Sequence, residues 1–134
     1  MKKILFCTGL FVLLMSQLAS AQHFIGLNKD ETKSLARESG FYQDNMVVSQ
    51  KFNYMKFVNS ADTKTLIVFF SEEDLSTHTR TVCDYSEFSY VVEDFDKNYT
   101  KMTDTSWVYE NEKQEFEVTL EEKEWYFVIR TKKK

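Results

Sequence analysis

The chain has 134 residues, with 17 basic and 21 acidic side chains and a net charge of −4. This length suits a single domain, and an acidic surface argues against partners such as nucleic acids and anionic membranes, which require clustered positive charge. Because 43% of the residues are hydrophobic and 16% are aromatic, the composition also excludes an intrinsically disordered chain.

The first 21 residues have the three parts of a Sec-type signal peptide: a basic start, an apolar run and a short stretch of small residues. The apolar run, residues 4–14, is shorter than the roughly 20 residues that span a bilayer. We therefore predict cleavage between Ala21 and Gln22. The mature protein would then be a single globular domain of residues 22–134 without a membrane anchor, located in a bacterial periplasm or outside the cell.

The predicted mature domain is acidic, aromatic and free of disulfides. Without Lys2 and Lys3 it has 15 basic and 21 acidic side chains, a net charge of −6. Cys83 is its only cysteine, and a lone cysteine of this kind is expected to be buried and inert. The domain keeps 10 Phe, 7 Tyr and 2 Trp, a composition typical of ordered, strand-rich structure.

The first predicted helix covers residues 29–39. Asn28 is a suitable N-cap, and Glu31 stands three residues later, as in a capping box. Gly40 is expected to end the helix in a left-handed conformation. The apolar side of this helix is small, so we expect it to lie at the edge of the core.

A second helix is predicted after Asp84, which is followed three residues later by Glu87 in the same capping pattern. Its apolar residues repeat at i, i+3, i+4, i+7 and i+11, which is the spacing of one helical face. These residues are Phe88, Val91, Val92, Phe95 and Tyr99. This face should pack against a sheet.

Six strands are predicted from apolar runs and from alternation of apolar and polar residues. They cover residues 51–58, 64–71, 75–82, 105–110, 115–121 and 124–131. Residues 46–48 are ambiguous, and residues 100–104 read as a polar connection. We predict an α+β, two-layer fold in which an antiparallel sheet of about six strands carries both helices on one face. The order α-βββ-α-βββ allows an internal duplication.

No catalytic or metal-binding arrangement stands out. Cys83 and His78 are five residues apart near one strand, so we expect them on opposite faces. His23 adjoins the predicted mature N-terminus and is expected to be mobile. With two histidines and one cysteine in the mature chain, we expect no metal site and no cofactor. One predicted strand carries Glu115, Glu117 and Glu121 at alternating positions, which indicates its solvent-exposed face.

The leading functional hypothesis is a non-enzymatic exported domain that binds a protein or glycan partner. Recognition would use an edge strand or the sheet face that the helices leave open, where we place Arg80, Glu117 and Thr119. Several tyrosines would form an aromatic platform if they emerged together on that face. They are Tyr54, Tyr85, Tyr90, Tyr109 and Tyr126.

Two alternatives remain open from the residues alone. The first is a small hydrolase that uses paired carboxylates. The second is a carrier of a small apolar or aromatic ligand in a pocket between the helices and the sheet, which a cavity of several hundred Å³ would favour. The sequence specifies neither the partner nor the oligomeric state.

Overall fold

One antiparallel sheet of eight strands carries both helices in a computed structural model, which describes residues 23–44 and 53–134. The predicted cleavage site between Ala21 and Gln22 and the ambiguous residues 46–48 lie outside this part of the chain. The signal peptide and the export route therefore remain predictions.

The elements form two successive groups, each with a helix followed by four strands. The N-terminal half contains α1 (Lys29–Glu38), β1 (Phe41–Gln43), β2 (Tyr54–Asn59), β3 (Lys64–Phe70) and β4 (Ser76–Asp84). A 3-10 turn (Tyr85–Glu87) leads into the C-terminal half, which contains α2 (Phe88–Asn98), β5 (Thr100–Thr103), β6 (Ser106–Asn111), β7 (Gln114–Glu122) and β8 (Tyr126–Lys133).

The two halves join in the middle of the sheet, where β4 pairs with β8. The strand order is β1-β2-β3-β4-β8-β7-β6-β5, so each half is a four-stranded antiparallel meander and the second runs inward from the far edge. In the central pair, Thr81 stands opposite Ile129 and Arg80 stands opposite Arg130. The two halves therefore have the same strand connectivity, and their last strands, β4 and β8, pair with each other at the centre of the sheet.

The predicted sheet of about six strands in the order α-βββ-α-βββ is wrong. The order is α-ββββ-α-ββββ, because two edge strands, β1 and β5, had no signal in the sequence. All four side chains of β5 are exposed, so apolar alternation is absent, and backbone pairing to β6 places the strand. β1 has only three residues. Strands of this kind are defined by their partner's backbone rather than by their own hydrophobic pattern.

The first helix starts as predicted and ends one residue earlier than predicted, at Glu38. The Asn28 side chain accepts a hydrogen bond of 2.8 Å from the Glu31 backbone N–H, and the Glu31 carboxylate accepts one of 3.1 Å from the Asn28 N–H. Gly40 follows the helix with a φ of +85°, which a residue without a Cβ adopts at little cost.

The second helix begins later than its capping pattern suggested. Asp84 caps the 3-10 turn instead, accepting a hydrogen bond of 2.9 Å from the Ser86 N–H, and α2 starts at Phe88. The predicted apolar face does lie in the core, where Val91 and Phe95 are buried.

Two clusters of buried residues form the core, both on the helix-covered face of the sheet. The N-terminal cluster consists of Phe24, Ala36, Met55, Phe57, Leu66, Val68 and Phe70. The C-terminal cluster consists of Cys83, Val91, Phe95, Trp107, Val118, Leu120 and Phe127. Within the C-terminal cluster, the Trp107 indole N–H donates a hydrogen bond of 2.9 Å to Asp96 on α2, which fixes the helix to β6.

Residues 23–27 run across the helix-covered face and contact both halves. Phe24 belongs to the N-terminal cluster, whereas His23 contacts Tyr109 on β6 and Phe116 on β7. The hydroxyl of Ser76, at the start of β4, donates to the Phe24 carbonyl and accepts from the Leu27 N–H. We refer to residues 23–27 as the N-terminal strap.

Candidate binding surfaces

The sheet face that neither helix covers, which we call the open face, has a row of cations at its centre. Strand pairing places Lys56, Ile67, Arg80, Arg130 and Thr119 side by side across β2, β3, β4, β8 and β7. The two arginines are direct cross-strand neighbours. Like charges in directly opposed positions destabilise a sheet, so this pair has a cost that its surroundings must offset.

Only one arginine of the pair is neutralised within the described residues. Arg130 donates a hydrogen bond of 2.7 Å to Glu121. The Nε atom of Arg80 is buried and has no hydrogen-bond partner among the described residues. A buried donor in this state costs about 1–3 kcal/mol. Arg80 also forms no ion pair with any described residue, so its guanidinium group has no counter-charge in this part of the chain.

Both arginines of the pair are only partly buried, and 43% of the Arg130 side chain is exposed. Val128, two residues from Arg130 on the same strand face, is fully buried. Lys56 forms an ion pair of 3.4 Å with Asp44 at the edge of the row. A charge that is partly shielded from water interacts somewhat more strongly with a partner than a charge in bulk water does.

An aromatic row lies next to the cations on the N-terminal half of the open face. Tyr54, Phe69 and His78 are neighbours on β2, β3 and β4. Phe69 and His78 stack with ring centroids 4.5 Å apart and an interplanar angle of 8°, and Tyr54 lies 6.1 Å from Phe69. Burial lowers the pKa of His78, which favours the neutral ring against Phe69.

Acidic residues occupy the other side of the open face. Glu117 and Glu121 on β7 face β8, where they stand opposite Lys132 and Val128. Hydrogen bonds from Lys123 and Arg130 lower the pKa of Glu121 to about 2, so this carboxylate stays ionised. The open face therefore changes from aromatic through cationic to acidic across the sheet.

A cleft of about 470 Å³ lies on the opposite side of the sheet, between α1 and α2. Its floor contains three threonines, Thr79 and Thr81 on β4 and Thr131 on β8, with Thr79 directly opposite Thr131. Both helices contribute to its walls, with Glu38 from α1 and Asp94 from α2.

The predicted separation of Cys83 and His78 is confirmed. Cys83 lies in the core on the helix-covered face, and burial raises the pKa of its thiol to about 11. His78 stacks on Phe69 on the open face. A thiol this basic is not ionised at neutral pH, and no imidazole adjoins it, so the two residues do not form a nucleophile–base pair.

His23 is held in place, contrary to the expectation that it is mobile. Its Nδ1 forms a hydrogen bond of 2.9 Å with the Tyr109 hydroxyl, and its ring packs edge-on against Phe116. Burial lowers the pKa of His23 and raises the pKa of Tyr109. A neutral imidazole and a protonated phenol can share this hydrogen bond, and the tautomer of His23 decides which group donates.

The five tyrosines proposed as a platform are dispersed, so that part of the prediction is wrong. Tyr54 lies on the open face, Tyr109 packs on the helix-covered face, and Tyr90 lines the cleft. Tyr85 and Tyr126 are exposed at one end of the central strands. The aromatic row on the open face uses Phe69 and His78 instead, which only strand register brings beside Tyr54.

The described residues contain no group of three or more His, Cys, Asp or Glu side chains placed to hold a metal ion. Within residues 23–44 and 53–134, neither helix is long and apolar enough to cross a membrane.

The fold and surfaces define an antiparallel α+β domain built from two α-ββββ halves, with one open sheet face and one cleft. Comparison of the chain with protein-family models, curated proteins and solved structures finds no match. Its function is therefore argued from its own surfaces.

Proposed function

We propose that this protein is an exported, non-enzymatic domain that binds a protein partner through the open face of its sheet. The observation that carries the proposal is Arg80, whose buried Nε lacks a hydrogen-bond partner in the described structure and which stands opposite a second arginine. A partner carboxylate at the guanidinium groups would offset the repulsion between them, and a shift of the Arg80 side chain would bring Nε within reach of an acceptor as well.

The chemistry of this surface favours a partner that presents a carboxylate beside an apolar or aromatic side chain. Guanidinium groups bind carboxylates in a planar, bidentate geometry. The neighbouring row of Tyr54, Phe69 and His78 provides apolar contact area. Arginine and aromatic residues are also the types that dominate binding energy at protein interfaces.

A protein segment fits this surface better than a nucleic acid does. The cations form a small group, and Glu117 and Glu121 lie immediately beside it on β7, with Glu117 directly opposite Lys132. The mature domain as predicted has a net charge of −6. A phosphate backbone requires an extended positive surface and would be repelled by these acids.

The three acids whose pKa values are lowered are unsuited to the proton-donating role in hydrolysis. Hydrogen bonds are the largest causes that lower the pKa values of Asp74, Asp84 and Glu121. A carboxylic acid that donates a proton in hydrolysis instead requires a raised pKa.

The proposal is tested with a photo-crosslinking residue at Thr119, which neighbours Arg130 on the open face, and with the same residue at Ser34, which is exposed on α1. The protein is expressed in its native host so that normal processing occurs. We expect Thr119 to yield a specific protein adduct that Ser34 does not yield. The adduct is then identified and its affinity for the purified domain is measured.

The decisive variant is Arg80→Met, which keeps the apolar stem and removes the charge. Its matched control is Lys33→Met, which removes a charge from the exposed side of α1. We expect Arg80→Met to weaken binding of the crosslinked partner by at least about tenfold, with no change for Lys33→Met. Equal affinity in both variants, or adducts from Ser34 alone, contradicts the proposal.

Export is tested separately by intact mass. We expect the protein recovered from the periplasm or medium to begin at Gln22. A cytosolic protein that retains residues 1–21 would contradict this part of the proposal.

A further inference from the structure

We propose that the cleft between α1 and α2 binds a small organic cation with an apolar body, such as a protonated arylalkylamine. This site lies on the face of the sheet opposite Arg80 and is independent of the proposed partner surface. Its volume, about 470 Å³, is within the usual range for small-molecule sites of roughly 300–1,000 Å³.

The floor of the cleft offers hydroxyl groups without protein partners. Thr79 is only 7% exposed, and the side chains of Thr79, Thr81 and Thr131 form no hydrogen bond with any residue in the described ranges. Thr79 and Thr131 are direct cross-strand neighbours. A hydroxyl that faces a cleft and forms no hydrogen bond within the protein can accept one from a ligand N–H.

Aromatic side chains form the α2 side of the cleft. Phe95 and Tyr99 stack with ring centroids 5.3 Å apart, and both line the cleft together with Tyr90. Tyr90 is largely exposed although it stands on a helix that faces the sheet. Aromatic faces attract cations and also cover apolar surface, so they suit a ligand that has both.

The charge around the cleft selects a cation over an anion. Glu38 contributes a carboxylate from α1 and Asp94 contributes one from α2. Asn98 donates a hydrogen bond of 2.8 Å to Oδ1 of Asp94, which leaves Oδ2 for another donor. The cation of the cleft, Lys64, lies 3.9 Å from Glu87. The carboxylates are therefore in excess, and an ammonium group is the complementary charge.

The test uses three probes that share one ring and differ in charge: phenethylamine, phenethyl alcohol and phenylacetate. Each is titrated into the purified protein, as its host processes it, while backbone amide shifts are followed by NMR. We expect phenethylamine to perturb Thr79, Thr81 and Thr131 and to bind about tenfold more tightly than phenethyl alcohol. We expect phenylacetate to bind least.

Variants then separate a site from nonspecific attraction. Thr79→Val removes the hydroxyl with little change in shape, and Thr79→Ser keeps the hydroxyl. Asp94→Asn removes one charge from the cleft. We expect Thr79→Val and Asp94→Asn each to weaken phenethylamine binding several-fold, whereas Thr79→Ser retains most of it. Thermal unfolding confirms that each variant is folded.

Three results would overturn the inference: equal affinity for the amine and the alcohol, tighter binding of phenylacetate, or amide shifts confined to the open face. The absence of any shift with all three probes at millimolar concentration would also overturn it. Arg80→Met separates the two proposals, because we expect it to weaken partner binding and to leave phenethylamine binding unchanged.

Discussion

The two halves of the molecule have the same topology but attach their helices in different ways. In the N-terminal half, α1 meets the sheet through Thr32 and Ala36, both fully buried. In the C-terminal half, α2 meets it through Val91 and Phe95, and Phe95 packs edge-on against Trp107 with ring centroids 5.2 Å apart. One helix is held by small side chains and the other by large ones.

This difference shows that strand pairing sets the architecture, while packing is adjusted separately in each half. The small contact surface of α1 is supplemented by Phe24, which enters the N-terminal cluster from the strap rather than from a helix or strand. Between the helices, threonines replace apolar residues on the sheet and form the cleft floor. The cleft thus lies where the two dissimilar cores meet.

We expect the largest loss of stability from Trp107→Ala in the C-terminal half. Trp107 is fully buried and hydrogen-bonded to Asp96, so its truncation should lower the free energy of unfolding by about 3–5 kcal/mol. Denaturation in urea measures this loss. The control is Trp125→Ala, at a residue that is 78% exposed, for which we expect a change within about 0.5 kcal/mol.

The same experiment tests whether the halves are energetically separate. Because β4 and β8 are paired over seven residue pairs, we expect both halves to unfold in one transition in the native protein and in Trp107→Ala. A biphasic curve in which the N-terminal half keeps its original midpoint would mean that the shared sheet does not couple them.

A smaller effect is expected from Ala36→Leu in the N-terminal half. Ala36 is fully buried beneath α1, and three additional carbons have no space there, so we expect a loss of about 1–3 kcal/mol. Ser34→Leu, on the exposed side of the same helix, is the control and should change stability little. If Ala36→Leu is neutral or stabilising, the packing of α1 against the sheet does not limit the size of the side chain at position 36.

We expect the smallest change in stability from protonation of His23, in the strap that contacts both halves. Burial lowers the pKa of His23 in the folded protein below the usual histidine value of about 6.5. The folded state therefore binds fewer protons than the unfolded state, and stability is lost as pH falls below about 6.5 and through the folded pKa.

We expect thermal unfolding from pH 8 to pH 5 to show this decrease and His23→Phe to reduce it. Part of the slope should remain in the variant, because burial also lowers the pKa of His78. If His23→Phe leaves the pH dependence of thermal stability unchanged, protonation of His23 does not weaken the contact between the strap and β6.

The helices were predictable because their signals are local. Asn28 and Glu31 are three residues apart, and the apolar face of α2 spans a single helix, so neighbouring residues determine both. Strand β7 was also legible, since Phe116, Val118 and Leu120 alternate with exposed or partly exposed residues. In contrast, β5 has no buried side chain, so its own sequence carries no pattern that distinguishes a strand from a connection.

The candidate surfaces were predictable only in part. Arg80 was placed on the open face, but its neighbour Arg130 is fifty residues away and becomes adjacent through the β4–β8 register. The cleft depends in the same way on threonines from β4 and β8 and on carboxylates from two helices.

The amino-acid sequence by itself determined where the first helix begins, which face of the second helix enters the core and that Cys83 and His78 face apart, because these depend on spacing along one segment. The tertiary structure decided the eight-strand count, the paired arginines and the cleft. Each of these depends on hydrogen-bond register between segments far apart in the chain, which no local pattern of side chains specifies.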